Sequence, residues 1–271
     1  MSLDFSVVVL DDRSGLPRLL GFDASGSQQS HCDLPEGTQA VRRGGLGTFV
    51  WNAVGICGWP GDAETIQPVI STLDVGAFWV DSEWVWATTY NGGGLIRWGP
   101  NEGAQQVGEN LTFPSGVTTQ DSVAYIAESH GGVLGVVVKI SFGGGENPEM
   151  RVLAQSLNGL KDLVAAQPSG DLYALEPGTG CIVRIDPDSG LWERTWRGFG
   201  TLRSMVAIGD CLYVLETLSE SRSFSSLSAN LARREGARGR VWRLPLAGSE
   251  RELILKGVGN ALTLGQPVDT Q

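Results

Sequence analysis

The sequence predicts an all-β fold assembled from repeated units of four short strands, and three features support this prediction. Glycine is frequent, with 38 among 271 residues, and it separates short apolar runs, which is typical of many turns between strands. Apolar residues make up 41% of the chain and include 9 tryptophans, so a core can form. The third feature is a self-similarity that recurs roughly every 30 to 50 residues.

Three segments carry this repeat most clearly. Each begins with a polar residue, continues as a short apolar strand, turns at Gly, Asp or Ser, and returns as a second strand that ends on Glu. The segments are FPSGVTTQDSVAYIAE (113–128), LKDLVAAQPSGDLYALE (160–176) and LRSMVAIGDCLYVLE (202–216). The third strands that follow are GVVVKI (135–140), CIVRID (181–186) and RVWRLP (240–245). A more polar fourth segment such as LWERTWRG (191–198) completes a unit.

Weaker copies extend the repeat towards the N-terminus. VGAFWVDSEWVWATT (75–89) predicts a first and a second strand, and GLIRWGP (94–100) a third. GLGTFVWNAVGICG (45–58) and IQPVISTL (66–73) are interpreted in the same way. The N-terminal runs SVVVLDD (6–12) and PRLLGFDASG (17–26) match only a second and a third strand, and the missing first strand is found in VGNALTLGQPV (258–268).

Units of four antiparallel strands at this period are the signature of β-propeller blades, and six units fit the chain. The divided first unit predicts a closed ring in which the C-terminal strand pairs into the N-terminal blade. An open ring would leave two sheet edges unpaired. We therefore expect residues 1–271 to form a single six-bladed β-propeller.

Composition restricts the partners of the protein. The net charge is −10 and the pI about 4.7. An acidic surface repels phosphates, so neither nucleic acid nor an anionic membrane is an expected partner. The chain lacks a run of about 20 apolar residues, and MSLDFSVVVLDD does not have the pattern of a signal peptide. The 4 cysteines contain no CxxC pair, which predicts free thiols and a cytoplasmic protein.

The repeats resemble those of a known group of six-bladed propellers. FPSGVTTQDSVAYIAE, LVAAQPSGDLYALEPGTGCIVRIDPDSG and the ending LYVLE are similar to repeats of the gluconolactonase (senescence-marker-protein) and strictosidine-synthase-like group, and also to streptogramin B lyase propellers. The resemblance covers residues 75–216 and implies the fold more strongly than any one activity. It implies a lactonase, hydrolase, lyase or cyclase acting on a small molecule. It also implies a divalent cation (Ca, Mg or Zn) in the channel, held here by Asp162 and Asn260.

The repeat places two sets of side chains at one mouth of the central channel. The first strand of a blade runs down from this end, here called the top face, and the second strand returns to it. The residues before the first strands are Ser115, Asp162, Ser204 and Asn260. The residues after the second strands are Asp11, Glu128, Glu176 and Glu216, with Thr88 in a weaker copy. We predict that Asp162 and Glu128 act in catalysis. The residues predicted to bind substrate are Asp11, Ser115, Glu176, Ser204, Glu216 and Asn260. The alternative is structural, because an acidic residue after a strand can accept hydrogen bonds from the backbone of its own turn.

His130 breaks the symmetry of the repeat, since Gly178 and Leu218 occupy its position in other units. It lies before two glycines and one residue beyond Glu128. A histidine can act as a general acid or base near neutral pH, and a carboxylate can orient it. We predict a catalytic His130–Glu128 pair, the alternative being an exposed loop histidine. His31 is expected on the surface, in a fourth, outer strand or its loop.

One insertion has no counterpart in the other units. TLSESRSFSSLSANLARREGARG (217–239) separates LYVLE from RVWRL and contains a short segment with helix signals. A long loop at a propeller mouth is typical of a lid, and Arg233, Arg234 and Arg238 would bring positive charge to an acidic channel. We predict that Arg233 contacts substrate. The alternative is a solvated surface loop.

The leading hypothesis is therefore a small-molecule enzyme with its site at the top mouth. The alternative is a non-catalytic propeller that binds a protein partner or a glycan. Tryptophan can stack on sugars, but Trp51, Trp79, Trp84 and Trp86 lie inside apolar strands, where packing between blades is expected. The patterns GxSxG, HExxH and the P-loop do not occur, and the oligomeric state is left open.

Overall fold

The computed structural model consists of β-strands joined by turns. It describes residues 7–11, 17–23, 27–60, 66–131, 133–142, 148–167, 169–218, 238–258 and 261–265. The predicted all-β class is confirmed. A search of the same residues for a helix both long and apolar enough to cross a membrane finds none.

The strands are short, and each pairs antiparallel with its neighbours in its sheet. The first half of the chain contributes β1 (Val7–Asp11), β2 (Arg18–Phe22), β3 (Gln28–Asp33), β4 (Ala40–Gly44), β5 (Gly47–Asn52), β6 (Gly55–Gly58), β7 (Gln67–Ile70), β8 (Val75–Val80), β9 (Val85–Thr89), β10 (Leu95–Gly99), β11 (Gly103–Gly108) and β12 (Pro114–Gln120). The second half contributes β13 (Val123–His130), β14 (Leu134–Ser141), β15 (Glu149–Asn158), β16 (Leu163–Ala165), β17 (Leu172–Glu176), β18 (Cys181–Ile185), β19 (Trp192–Trp196), β20 (Thr201–Ile208), β21 (Cys211–Leu218), β22 (Arg238–Pro245), β23 (Glu252–Val258) and β24 (Ala261–Gly265).

Across the described ranges these strands form six four-stranded sheets. Five of the sheets use consecutive strands: β4–β7, β8–β11, β12–β15, β16–β19 and β20–β23. The remaining sheet has the order β24, β1, β2, β3, and β24 runs antiparallel to β1. The first strands contact one another in the order β24, β4, β8, β12, β16, β20 and again β24. They therefore surround a common centre, and the fold is the β-propeller that the repeat predicts.

One predicted register is wrong by a strand. GLGTFVWNAVGICG was expected to supply a first and a second strand, but β5 and β6 are the second and third strands of their sheet. IQPVISTL, expected as the third strand, contains β7, which is the fourth. The first strand is β4, whose sequence AVRRG has two charged residues among five. So short and polar a segment carries little of the apolar signal that identifies a strand.

The core lies between neighbouring sheets. One apolar cluster includes Tyr125, Leu157 and Leu163 with Val183 and Ile185, and so joins the sheets β12–β15 and β16–β19. Because a blade is covered on both faces, its inner strands need not alternate between apolar and polar residues. The strand β17 is accordingly buried at every position. The sequence therefore shows a continuous apolar run there.

The tryptophans predicted to serve packing contact these clusters, as expected. Trp86 is buried, while Trp51, Trp79 and Trp84 are partly buried against apolar side chains. The cysteines are also free, as predicted: Cys57, Cys181 and Cys211 are buried and Cys32 is partly buried. Burial raises the pKa of the Cys32, Cys57 and Cys211 thiols, which makes them less reactive at neutral pH.

The predicted insertion 217–239 is shorter than expected. Strand β21 continues to Leu218 and β22 begins at Arg238, so both ends of the predicted segment belong to paired strands. Residues 219–237, including Arg233, lie outside the described residues. The predicted lid and its contact with substrate stay predictions.

Candidate functional site

Glu128 and His130 lie at the top end of β13 and contact each other. Residues two apart on a strand share a face, so both side chains project to the same side. Glu128 Oε2 lies 3.0 Å from His130 Nε2, and Glu128 Oε1 accepts a hydrogen bond of 2.9 Å from the Thr112 amide. The carboxylate side chain is 7% exposed and the imidazole 39% exposed. The structure thus joins a buried acid to a histidine that a ligand can reach.

The contact determines which ring nitrogen faces a ligand. When Nε2 donates to the carboxylate, the neutral imidazole carries its lone pair on Nδ1. A carboxylate partner of this kind holds the tautomer and the ring orientation. The pair can therefore take up and return a proton at Nδ1.

Glu176 occupies the equivalent position in the next sheet and is fully buried. Oε1 accepts hydrogen bonds from the Asn158 amide at 2.8 Å and from an Arg194 terminal nitrogen at 3.0 Å. Oε2 accepts from Arg194 Nε at 2.7 Å and from the Thr179 hydroxyl at 2.9 Å. Burial on its own would raise the pKa of this carboxyl. The hydrogen bonds from Arg194, Asn158 and Thr179 outweigh burial, so the pKa of Glu176 is lowered.

Glu216 completes the set of equivalent carboxylates. It is buried, and it accepts hydrogen bonds from the Gly200 amide and, at 2.7 Å, from Trp242 Nε1. All three glutamates bind a backbone amide that precedes the first strand of their own sheet: Thr112 and Gly200 lie just before β12 and β20, and Asn158 is the last residue of β15. This is a structural role of the kind that the sequence left open, since it ties the end of the second strand to the start of the first. That Glu176 and Glu216 bind substrate stays a prediction.

Asp162 lies just before β16 and joins two sheets. Oδ1 accepts from the Leu163 amide at 3.0 Å, and Oδ2 accepts from the Met205 amide at 3.0 Å and the Ser204 hydroxyl at 3.3 Å. Ser115 makes a similar link, because its hydroxyl donates to the Leu160 carbonyl at 2.7 Å. The structure thus brings Asp162 and Ser204 together, as the repeat alignment implies. Their hydrogen bonds connect neighbouring blades.

Arg42 was not identified from the sequence. It lies on β4, which contacts the first strands β24 and β8 of the neighbouring sheets. A terminal nitrogen of Arg42 nevertheless lies 3.8 Å from Oδ2 of Asp162, the residue just before β16, with side-chain exposures of 14% and 12%. The ion pair therefore joins two sheets that are not neighbours. Because GLGTFVWNAVGICG was predicted to begin this sheet, the sequence did not identify β4 as the first strand or Arg42 as a residue on it.

The described contacts of Asp162 do not suit a divalent cation. Its oxygens face amides, a hydroxyl and a guanidinium, whereas hard cations prefer several charged oxygens. Among the residues that the structure describes, His, Cys, Asp and Glu side chains form no group of three or more that could hold a metal ion. Asn260 and the side chain of Asp11 lie outside the described residues, so their predicted roles stay predictions.

An exposed aromatic pair lies beside Glu128 and His130. The rings of Tyr90 and Phe113 have centroids 5.2 Å apart at an angle of 43°, and each residue is 41% exposed. Phe113 has a φ of +45°, a conformation that costs a non-glycine residue about 1 kcal/mol or more. Its carbonyl accepts a hydrogen bond of 3.3 Å from the Ser129 amide.

The sequence contained a signal for this pair. Tyr90 follows the second strand of its sheet and Phe113 precedes the first strand of the next. These are the two classes of position that face the top mouth. The side chains of this pair are aromatic, whereas the site residues predicted at such positions are polar.

Comparison with known proteins defines the fold. No protein-family model and no curated protein matches the sequence. Among solved structures, a chain of a nidogen/laminin complex superposes with a TM-score of 0.68 at 12% identity, covering 96% of both chains. Hydrazine synthase of Kuenenia stuttgartiensis gives a TM-score of 0.61 at 15% identity over 80% of this chain and 65% of that one. Streptogramin B lyase gives 0.55 at 14% identity over 80% and 68%. Such identities show the β-propeller fold alone.

Proposed function

We propose that the protein is a small-molecule enzyme of the lactonase, hydrolase or lyase type that acts at the top face of its propeller. His130 exchanges the proton, and Glu128 positions the imidazole. The observation that carries this proposal is the 3.0 Å contact between a buried carboxylate and a half-exposed histidine. The repeat resemblance to gluconolactonase-like propellers and the fold likeness to streptogramin B lyase support the reaction class.

The proposal includes a closed ring of six blades. It is supported by the six described sheets, by the pairing of β24 with β1, and by the unbroken sequence of contacts among the first strands. The Arg42–Asp162 pair spans the centre of this ring. Access to His130 is therefore proposed from the outer mouth and not through the channel.

In the proposed reaction, Nδ1 of His130 removes a proton from water or from a substrate carbon. Attack of that water opens an ester by hydrolysis, or loss of the carbon-bound proton opens it by elimination. The imidazolium stays paired with Glu128 and returns its proton to the leaving oxygen. General acid–base catalysis of this kind contributes about 10² to 10⁴ in rate.

The experiment is a screen of γ- and δ-lactones and cyclic peptide esters, with ring opening followed by mass spectrometry. For any substrate that is converted, His130→Ala should lower kcat by about 10² to 10⁴. The matched control is His31→Ala, which removes the other of the 2 histidines, on the outer strand β3, and should retain full activity. Full activity of His130→Ala would contradict the proposal.

A second candidate, a binding propeller, has an observation of its own. The outer strand β15 is 10 residues long and pairs only with β14 in the described sheets. It exposes Met150 and Val152, at 45% and 57%. Such an edge can accept an added strand from a protein partner, and one fold neighbour belongs to a nidogen/laminin complex. Failure of the whole ester panel, together with loss of a co-purifying protein in Val152→Lys, would favour this candidate.

A further inference from the structure

We propose that Tyr90 and Phe113 form an aromatic platform that binds a ring of the substrate beside His130. The substrate class is thereby a small molecule that carries an aromatic ring next to the reacting ester. This inference rests on the proposed acid–base function of His130 and names what that site recognises.

The loop that carries Tyr90 is held in place by Asp74. The Tyr90 amide donates to the Asp74 carbonyl at 2.7 Å. The Asp74 carboxylate accepts from the amides of Asn91 and Gly92, each at 2.8 Å, and from the Asn91 side chain at 2.7 Å. The loop is therefore ordered by four hydrogen bonds to one residue, and Tyr90 projects from a fixed backbone.

The loop that carries Phe113 is held by the end of β13 and by the Tyr90 loop. The Thr112 amide donates to Glu128, and the Phe113 carbonyl accepts from the Ser129 amide, so the backbone of Phe113 is anchored to the strand end that carries His130. The Leu111 amide donates to the Gly93 carbonyl at 2.9 Å, which links this loop to the Tyr90 loop. A side chain at Gly93 would collide with the Leu111 carbonyl oxygen, so the close approach requires glycine.

The strained backbone of Phe113 points to a role in binding. A positive φ at an aromatic residue could be the cost of packing its ring into the core. Phe113 does not fit this explanation, because it is 41% exposed. The surrounding hydrogen bonds instead maintain a conformation that presents the ring to solvent beside Tyr90. Strain that is maintained by its surroundings concentrates at ligand-binding positions. Fixed rings also lose little conformational freedom when they bind a ligand.

The chemistry around the pair favours an aromatic ring over a sugar. A sugar is bound through several hydrogen bonds, whereas the exposed pair offers two aromatic rings and a single hydroxyl, that of Tyr90. Two rings tilted by 43° leave faces and edges open to a third ring in an edge-to-face or offset arrangement. Two side chains are also too small an area for a stable protein interface, which needs about 1,200 Å².

The test uses an unreactive pair of neutral probes, 2-phenylethanol and 2-cyclohexylethanol, with binding followed by protein NMR. The wild type should bind the phenyl compound about threefold to tenfold more tightly, and Phe113→Leu and Tyr90→Leu should each remove most of this preference. Leu191→Ala, which shortens an exposed apolar side chain next to β19, is the control and should bind as the wild type does. Two variants are used because Phe113→Leu could fail to fold at a positive φ.

The outcomes separate this inference from the proposed function. Equal binding of the two probes by the wild type, or unchanged preference in both folded variants, would overturn the platform. Selective binding of the phenyl probe without turnover of any phenyl-substituted lactone would support the platform and overturn the acid–base role. A raised KM for phenyl-substituted but not for aliphatic lactones in Tyr90→Leu, with kcat unchanged, would support both.

Discussion

The sheets β12–β15 and β16–β19 place the same carboxylate at the same point and surround it with different partners. Glu128 and Glu176 lie at equivalent positions near the top end of the second strand, and each binds a backbone amide that precedes the first strand. Glu176 then meets a guanidinium that binds both its oxygens, whereas Glu128 meets an imidazole through one oxygen. A guanidinium is charged at every pH at which the protein folds, but the imidazole forms an ion pair only when protonated.

The partners of the two glutamates also differ in how far they are exposed to solvent. The carboxylate of Glu176 is fully buried and that of Glu128 almost so, but the imidazole of His130 is 39% exposed and the Arg194 side chain 25%. One blade therefore satisfies its glutamate entirely with stabilising contacts. The other completes the same arrangement with a group that can also exchange a proton. The comparison suggests how a catalytic pair can arise from a structural contact of the repeat, and four variants test it.

The largest effect on stability is expected from Arg194→Ala. The variant leaves Glu176 buried without its cation, and breaking a buried ion pair on one side costs about 3 kcal/mol. Urea denaturation measures the loss. Arg151→Ala, at an exposed position on β15, is the control and should change stability little. A loss below about 1 kcal/mol for Arg194→Ala would show that the pair contributes no more than a surface contact.

The second test is the pH dependence of Glu176. Its folded-state pKa is lower than the ordinary value of 4.5, so its ionised form stabilises the fold. This contribution is complete above 4.5 and is lost as the pH falls through the lower folded-state pKa. Glu176→Gln should therefore be less stable than the wild type near pH ~7, and the difference should narrow towards pH ~3. A constant difference between these pH values in denaturation experiments would contradict this assignment.

A smaller loss is expected from Thr179→Val. The hydroxyl of Thr179, in the turn after β17, donates to Glu176 at 2.9 Å. In the sheet β12–β15 the strand β13 instead continues to His130. Removal of one hydrogen bond to a buried charged group should cost about 1 to 2 kcal/mol in urea denaturation. Thr179→Ser retains the hydroxyl and should recover most of the loss. If the serine variant is as unstable as the valine variant, packing of the methyl group explains the effect.

The smallest change in stability is expected from His130→Arg, which gives Glu128 in the sheet β12–β15 the same kind of partner that Glu176 has in the sheet β16–β19. The site is partly exposed, so the free energy of unfolding should change by about 0.5 kcal/mol or less. Turnover of any substrate identified in the lactone screen should nevertheless be lost, because a guanidinium does not exchange its proton. An active and equally stable His130→Arg variant would mean that the His130–Glu128 contact is structural only.

The glutamates could be found from sequence because each repeat is local. Glu128, Glu176 and Glu216 lie near the ends of second strands. The first and second strands of each sheet are adjacent in the chain, so an alignment of repeats places the three glutamates equivalently. Arg42 could not be found in this way. Its partner Asp162 lies 120 residues further along the chain, and its own strand is short and polar. The pair of Tyr90 and Phe113 likewise joins two sheets, a contact that the pattern within one repeat does not contain.

The sequence by itself determined the all-β class, the four-stranded repeat and the positions of the acidic residues within it, because hydrophobic periodicity and turns act over a few residues. The contact of Glu128 with His130 is local, since the two residues are two apart on β13, and the sequence predicted it. Only the tertiary structure decided what the other two glutamates contact, because Arg194 and Trp242 lie on later strands that return to them. Whether Asp162 meets Arg42 depends on how β4 and β16 are placed relative to each other. Such contacts follow from packing of distant segments, and no local pattern encodes them.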